Sequence, residues 1–130
     1  MQRIIDTNAG RSWKSTALNA VQSMIEPHER VLVILDSCHA KSPVKAELEA
    51  SHSWVSRGSY VVATDGIMMF VPDAPRGIPN WKDDHPEAAA REFAVPPPGF
   101  VLEQPAWPFN GSPLSKNVTH WPGAWLRRVA

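Results

Sequence analysis

The stretch that decides the fold is VLVILDSCHAKSP, residues Val31 to Pro43. Five apolar residues, Val31 to Leu35, run without a polar interruption into Asp36, and Ser37, Cys38 and His39 follow. An apolar run of this length with no alternation suits a strand covered on both faces of a parallel sheet. Such a strand ending on a carboxylate, a hydroxyl, a thiol and an imidazole raises a chemical question. In α/β sheets reactive groups gather beyond the carboxyl ends of the strands. The same arrangement recurs at Ser59 to Ala63 (SYVVA), which runs into Thr64 and Asp65. If the two strands are neighbours, Asp36 and Asp65 lie on one rim of the sheet.

Around these strands the chain alternates. Arg3 to Asp6 predicts a short edge strand. Ser12 to Met24 predicts a helix, with Trp13, Ala17, Ala20, Val21 and Met24 at three- and four-residue spacing and Pro27 as its stop. Pro43 to Ala50 and Pro86 to Phe93 predict helices that carry proline in the first turn. Met68 to Asp84 reads as a loop, and Phe100 to Glu103 and Trp125 to Val129 as strands. The order strand, helix, strand, helix, strand, helix, strand, strand predicts an α/β sheet with right-handed crossovers.

The chain has 130 residues, which fits one domain over residues 1–130. Thirteen basic and thirteen acidic residues cancel, so no basic field points to nucleic acid. A single cysteine, Cys38, excludes an intrachain disulfide framework and a cysteine-based zinc site. No apolar run approaches the roughly 20 residues of a membrane helix, and the N-terminus lacks a signal-peptide layout. The expectation is a cytoplasmic protein with no membrane span. Thirteen prolines, most of them in the second half, and six tryptophans predict long irregular loops there.

Asp36, His39 and Asp65 form the candidate site. Carboxylates suit a hard cation such as magnesium, and an imidazole is a ligand or a base near neutral pH. The alternative is that Asp36 caps the following helix and His39 is a solvated turn residue. Cys38 and His39 are sequence neighbours that point apart, so they make no ready nucleophile dyad, and the glycine-flanked nucleophile turn of hydrolases is absent. His85, ahead of Pro86, is either a substrate contact at a helix N-terminus or a plain cap. Trp81, Trp107, Trp121 and Trp125 are candidates to line a pocket, with packing as the alternative and the expectation for Trp125. Arg127 and Arg128 read as a solvated strand edge, and Asp73, Asp83 and Asp84 as solvated loop acids.

The ordered set of residues from Val31 to Gly66 resembles the second half of the cephalosporin hydroxylase and rhamnosyl O-methyltransferase family. That family's pattern is an apolar strand ending Leu-Asp-Ser-x-His, a helix, Val-x-x-Gly-x-Tyr, and a strand ending in Asp. Here the matching positions are Leu35, Asp36, Ser37, His39, Val55, Gly58, Tyr60 and Asp65. The likeness continues through PDAPRG, HPEAAAREF and WLRRV. It implies a Rossmann-like methyltransferase sheet with an antiparallel last strand pair, S-adenosylmethionine as cofactor, and O-methylation of a hydroxyl on a sugar, lipid or small natural product, with lipid biosynthesis as one setting. It also implies Asp36 and Asp65 as candidate magnesium ligands and His39 as a candidate catalytic base or a partner of a metal ligand, while His85 and Trp81 stand as substrate-side candidates from their own residue chemistry.

The departures are specific. The glycine-rich cofactor turn and the acidic residue after the second strand are absent, and Gly10 is the only early glycine. Thr64 stands where some relatives have a carboxylate, and His85 where relatives tend to have Asn. The expectation is therefore a partial domain that lacks its first strands, with Val31–Leu35 left as an exposed edge. Such a chain would self-associate or need a partner half-domain, or would be a non-catalytic remnant. A small metal-dependent enzyme of another class is the remaining reading.

Overall fold

A computed structural model describes residues 2–6, 15–36, 38–95, 99–104, 113 and 119–130. They form one mixed five-stranded sheet with three α-helices. The strands are β1 (Gln2–Asp6), β2 (Arg30–Leu35), β3 (Tyr60–Ala63), β4 (Phe100–Leu102) and β5 (Trp125–Arg128). The sheet order is β1-β2-β3-β5-β4. β1, β2 and β3 run parallel, while β5 is antiparallel to both β3 and β4. The helices are α1 (Ser15–Ser23), α2 (Lys41–Ser51) and α3 (Pro86–Ala94). This mixed α/β arrangement fits the Rossmann-like methyltransferase sheet that the resemblance implies.

The core explains why β2 and β3 are so apolar. Val31, Val33 and Leu35 of β2 join Val61 and Ala63 of β3, Leu126 of β5 and Phe100 of β4. Val44 and Leu48 of α2 and Ala89, Ala90 and Phe93 of α3 close over them. Leu48 and Leu126 are fully buried. Side chains in a strand alternate between faces, so Val62 belongs to the opposite face, where it too is buried.

Two expectations need correction here. β2 is not buried on both faces: Leu32 and Ile34 are only partly covered, alternating with the buried residues. Nor is β2 an open edge. β1 pairs along it from Gln2 opposite Arg30 to Asp6 opposite Ile34, which satisfies the backbone groups expected to be bare. A five-residue segment with two β-branched residues, Ile4 and Ile5, can fill that place because parallel pairing asks only for extended backbone and matching register.

The predicted loop from Met68 to Asp84 contains 3-10 turns at Gly66–Phe70 and Pro79–Lys82. It also supplies a helix cap. The N-cap of α2, Ala40, has no side chain able to accept a hydrogen bond. Instead the backbone N–H of Lys41 donates to Asp84 Oδ1 at 2.6 Å across 43 residues of chain. Asp84 is therefore a tertiary capping group rather than a solvated acid. α3 is capped locally: His85 Nδ1 accepts from the Ala88 N–H at 3.2 Å, with Pro86 in the first helical position. Both caps satisfy amides that a helix N-terminus leaves without partners.

Arg127 and Arg128 do not form a solvated edge, because β5 lies between β3 and β4. Arg127 pairs with Glu103, which also accepts from Tyr60 Oη at 3.3 Å. Arg128 Nη1 donates to the carbonyls of Ser53 and Val55 at 3.1 and 2.7 Å. The guanidinium fork thereby ties the end of β5 to the turn that precedes β3.

Candidate functional site

β2 and β3 are adjacent and parallel, with Leu35 opposite Ala63. Asp36 therefore leaves the sheet beside Thr64, and Asp65 follows on the same rim. Thr64 is nearly buried, at 3% exposure, and joins the two acids. Its Oγ1 lies 3.0 Å from Leu35 O, 3.0 Å from Asp36 Oδ1 and 3.3 Å from Asp65 Oδ2. A hydroxyl carries one proton, so it donates to one of the three oxygens at a time. The other two face its lone pairs. Negative charge is thus crowded about one point, and a positive group is electrostatically favoured there.

His39 lies against this pair of acids. Its Nε2 is 3.2 Å from Asp65 Oδ2, with the imidazole about half exposed and the carboxylate less so, at 48% and 23%. Trp81 stands edge-on to the His39 ring at a centroid distance of 6.0 Å. Asp65 has φ 57° and ψ 25°, the left-handed region. Asp is one of the few residues besides glycine that visits it. This conformation turns the chain from β3 directly into the 3-10 turn at Gly66–Phe70.

An open cleft of about 450 Å³ lies against these acids, lined by Asp36, Asp65, Thr119, His120 and Trp121. The far wall comes from the segment ahead of β5. Trp121 N–H donates to Thr119 Oγ1 at 3.1 Å, and Ile67 N–H donates to the His120 carbonyl at 3.1 Å. Trp121 also packs against Trp125, which stands edge-on to Tyr60.

The structure thus brings together Asp36, Asp65, His39 and Trp81. It does not bring His85 to the cleft lining: that imidazole is buried at 6% exposure and caps α3. Trp125 packs, as expected. Trp121 reaches the cleft, and Trp107 lies outside the described residues. Sequence reasoning missed Thr119 and His120. They have no periodicity and sit in a proline-rich stretch, so only the return of the chain to β5 brings them to the rim. Cys38 is partly buried and free.

Among the described residues, no group of three or more His, Cys, Asp or Glu side chains converges as a metal cage. Two carboxylates and a threonine hydroxyl are the oxygens that meet. Magnesium is commonly held by one or two carboxylates with water completing its shell, so this donor set suits a water-rich ion rather than an all-protein cage. No helix among the described residues is long and apolar enough to cross a membrane.

A family model described as rhamnosyl O-methyltransferase/CmcI matches residues 1–129. Neither the curated proteins nor the solved structures give a match to the chain. The match runs over nearly the whole chain, including β1 and the rim that carries Asp36, His39 and Asp65, and on that ground the chain belongs to the rhamnosyl O-methyltransferase/CmcI family.

Proposed function

We propose that the cleft beyond β2 and β3 is the acceptor side of an O-methyltransferase site, acting on a hydroxyl of a sugar, lipid or small natural product. The observation that carries this reading is the pairing of His39 Nε2 with Asp65 Oδ2, which together with Asp36 lines the cleft. An imidazole whose Nε2–H is held by a carboxylate has its tautomer set, and Nδ1 is left as the basic atom. In this role Nδ1 of His39 takes the hydroxyl proton while the Trp121 ring wall limits water and orients the acceptor.

S-adenosylmethionine, the donor implied by the family, supplies when bound a methyl carbon on a cationic sulfur that keeps the carbon–sulfur electron pair as the acceptor oxygen bonds to that carbon. Asp36, Asp65 and the Trp121 ring are suitable neighbours for that positive charge. Recognition of the adenosyl part has no comparable support, because the sequence carries no glycine-rich turn ahead of β2. Asp36 and Asp65, with Thr64, are also the residues that would hold a divalent cation, whose chemistry is to favour the deprotonated form of an acceptor hydroxyl.

The test is transfer of labelled methyl from S-adenosylmethionine to a panel of hydroxylated sugars, sugar-lipids and phenols. His39→Asn lowers transfer by about 10²–10⁴-fold, the range for loss of a general base. Equal rates for His39→Asn and wild type would end the base assignment. The absent glycine turn favours a second reading, that the chain acts with a partner polypeptide which completes the donor site. Calorimetric titration of the chain alone separates the two: tight one-to-one binding of S-adenosylmethionine would rule out the partner requirement.

A further inference from the structure

We infer that Glu87, which takes no part in the cleft lining, is a positioning residue that sets the wall carrying His120 and Trp121. The wall and the corner after Asp65 are locked together in backbone. Ile67 N–H donates to His120 O at 3.1 Å, Ala124 N–H to Trp121 O at 3.3 Å, and Ala63 N–H to Ala124 O at 3.0 Å. Two glycines make this approach feasible. A Cβ on Gly66 would stand 2.5 Å from Pro122 O and 3.2 Å from Glu87 Cβ. A Cβ on Gly123, whose φ is +62°, would stand 2.6 Å from Glu87 Cγ and 2.8 Å from its Oε1. Glu87 is thus wedged between the turn that follows Asp65 and the turn that follows Trp121.

The wedge is itself fixed. Glu87 is 5% exposed, in the first turn of α3, where the helix dipole favours a carboxylate. Its Oε1 is paired with Arg91 one turn on. Burying a carboxylate is costly unless it is paired, and an alanine would pack on α3 at less cost. The carboxylate stem instead fills the notch that two glycines leave open. The separation of Asp65 from His120 and Trp121 across the cleft is therefore governed by a side chain outside it. The functional consequence rests on the reading of this cleft as an acceptor site, but the geometry does not.

The experiment reads the indole N–H resonance of Trp121, assigned with Trp121→Phe, in Glu87→Ala, Glu87→Gln and Gly123→Ala chains. Glu87→Ala and Gly123→Ala are expected to shift the Trp121 signal and to speed amide exchange at Ile67. Trp54, which precedes β3 at the other end of the sheet, keeps its resonance. Glu87→Gln preserves the volume and restores the wild-type signal. An unmoved Trp121 resonance in folded Glu87→Ala overturns the inference. So does a glutamine variant as perturbed as the alanine one, which would make the Arg91 pair the active feature. If neither alanine variant folds, wild-type exchange decides. Protection of the Ile67 amide equal to that of Ala63 supports a locked wall, and free exchange at Ile67 refutes it. None of these readouts requires methyl transfer, so failure of the functional reading is seen separately.

Discussion

Replacing Thr64 with valine removes the hydroxyl that joins the two rim acids and leaves the shape of the side chain intact. Thr64 is 3% exposed, so water does not replace the lost donor, and the matched volume opens no cavity. The single hydroxyl proton is shared among Leu35 O and Asp36 Oδ1 at 3.0 Å and Asp65 Oδ2 at 3.3 Å. One hydrogen bond to a charged group contributes about 1.5–3 kcal/mol and one to a neutral group about 1 kcal/mol. Only one forms at a time, and the oxygens not reached by the proton repel the hydroxyl oxygen, so a net loss of about 1–2 kcal/mol follows from those values. For a chain of this length that is a fall in melting temperature of roughly 4–7 °C. Thermal melting by circular dichroism, with urea titration in parallel, measures it. A double-mutant cycle with Asp36→Asn isolates the pair, with an expected coupling of about 1 kcal/mol. A Thr64→Val chain that melts at or above wild type would refute the reasoning, because the hydroxyl would then be a source of repulsion rather than the link between the acids.

Leu48 is fully buried between α2 and the sheet, and Leu48→Ala is expected to destabilise by about 2–5 kcal/mol in urea titration, the range for a core leucine. His85→Ala removes the acceptor for the Ala88 N–H and should cost about 1 kcal/mol, recovered by His85→Asp, with melting temperature as the measure. Glu92 is held below the usual carboxylate range, first by its hydrogen bond from Lys41, opposed by its own desolvation and aided by the Lys41 charge. A carboxylate with a lowered folded-state value contributes stability above its unfolded value and loses it as pH falls through the folded one. Glu92→Gln should therefore narrow the difference from wild type as pH falls through the acid range, and salt should shrink the effect because both partners are solvent-exposed.

Much of the fold was legible in the order of elements, because hydrophobic runs and proline positions are local signals. Val31–Leu35 and Ser59–Ala63 were recognisable as strands without tertiary information, and α3 announced itself by Pro86 behind a capping residue. Placement of Asp36 and Asp65 after the two apolar strands was legible as well, but their sharing one rim rests on β2 and β3 being neighbours, which the sheet order decides. Other features were not local. Asp84 as the cap of α2 spans 43 residues, and nothing in the loop composition distinguishes it from Asp73 or Asp83. Arg128 reads as an exposed strand end from its neighbours in sequence, and only the insertion of β5 between β3 and β4 makes it an interior tie.

The sequence by itself determined that two apolar strands end in carboxylates, that an imidazole stands three residues beyond the first, and that the set matches one family's pattern. These are properties of residue type and spacing, which the chain carries whatever its folding. Only the tertiary structure decided that β1 covers the edge of β2, that Thr64 lies between the acids, that His39 turns its Nε2 to Asp65, and that Thr119, His120 and Trp121 form the facing wall. Each of those depends on contacts between segments far apart in the chain. They are selected by how the whole core packs and how its backbone hydrogen bonds are satisfied, and no window of sequence contains that information.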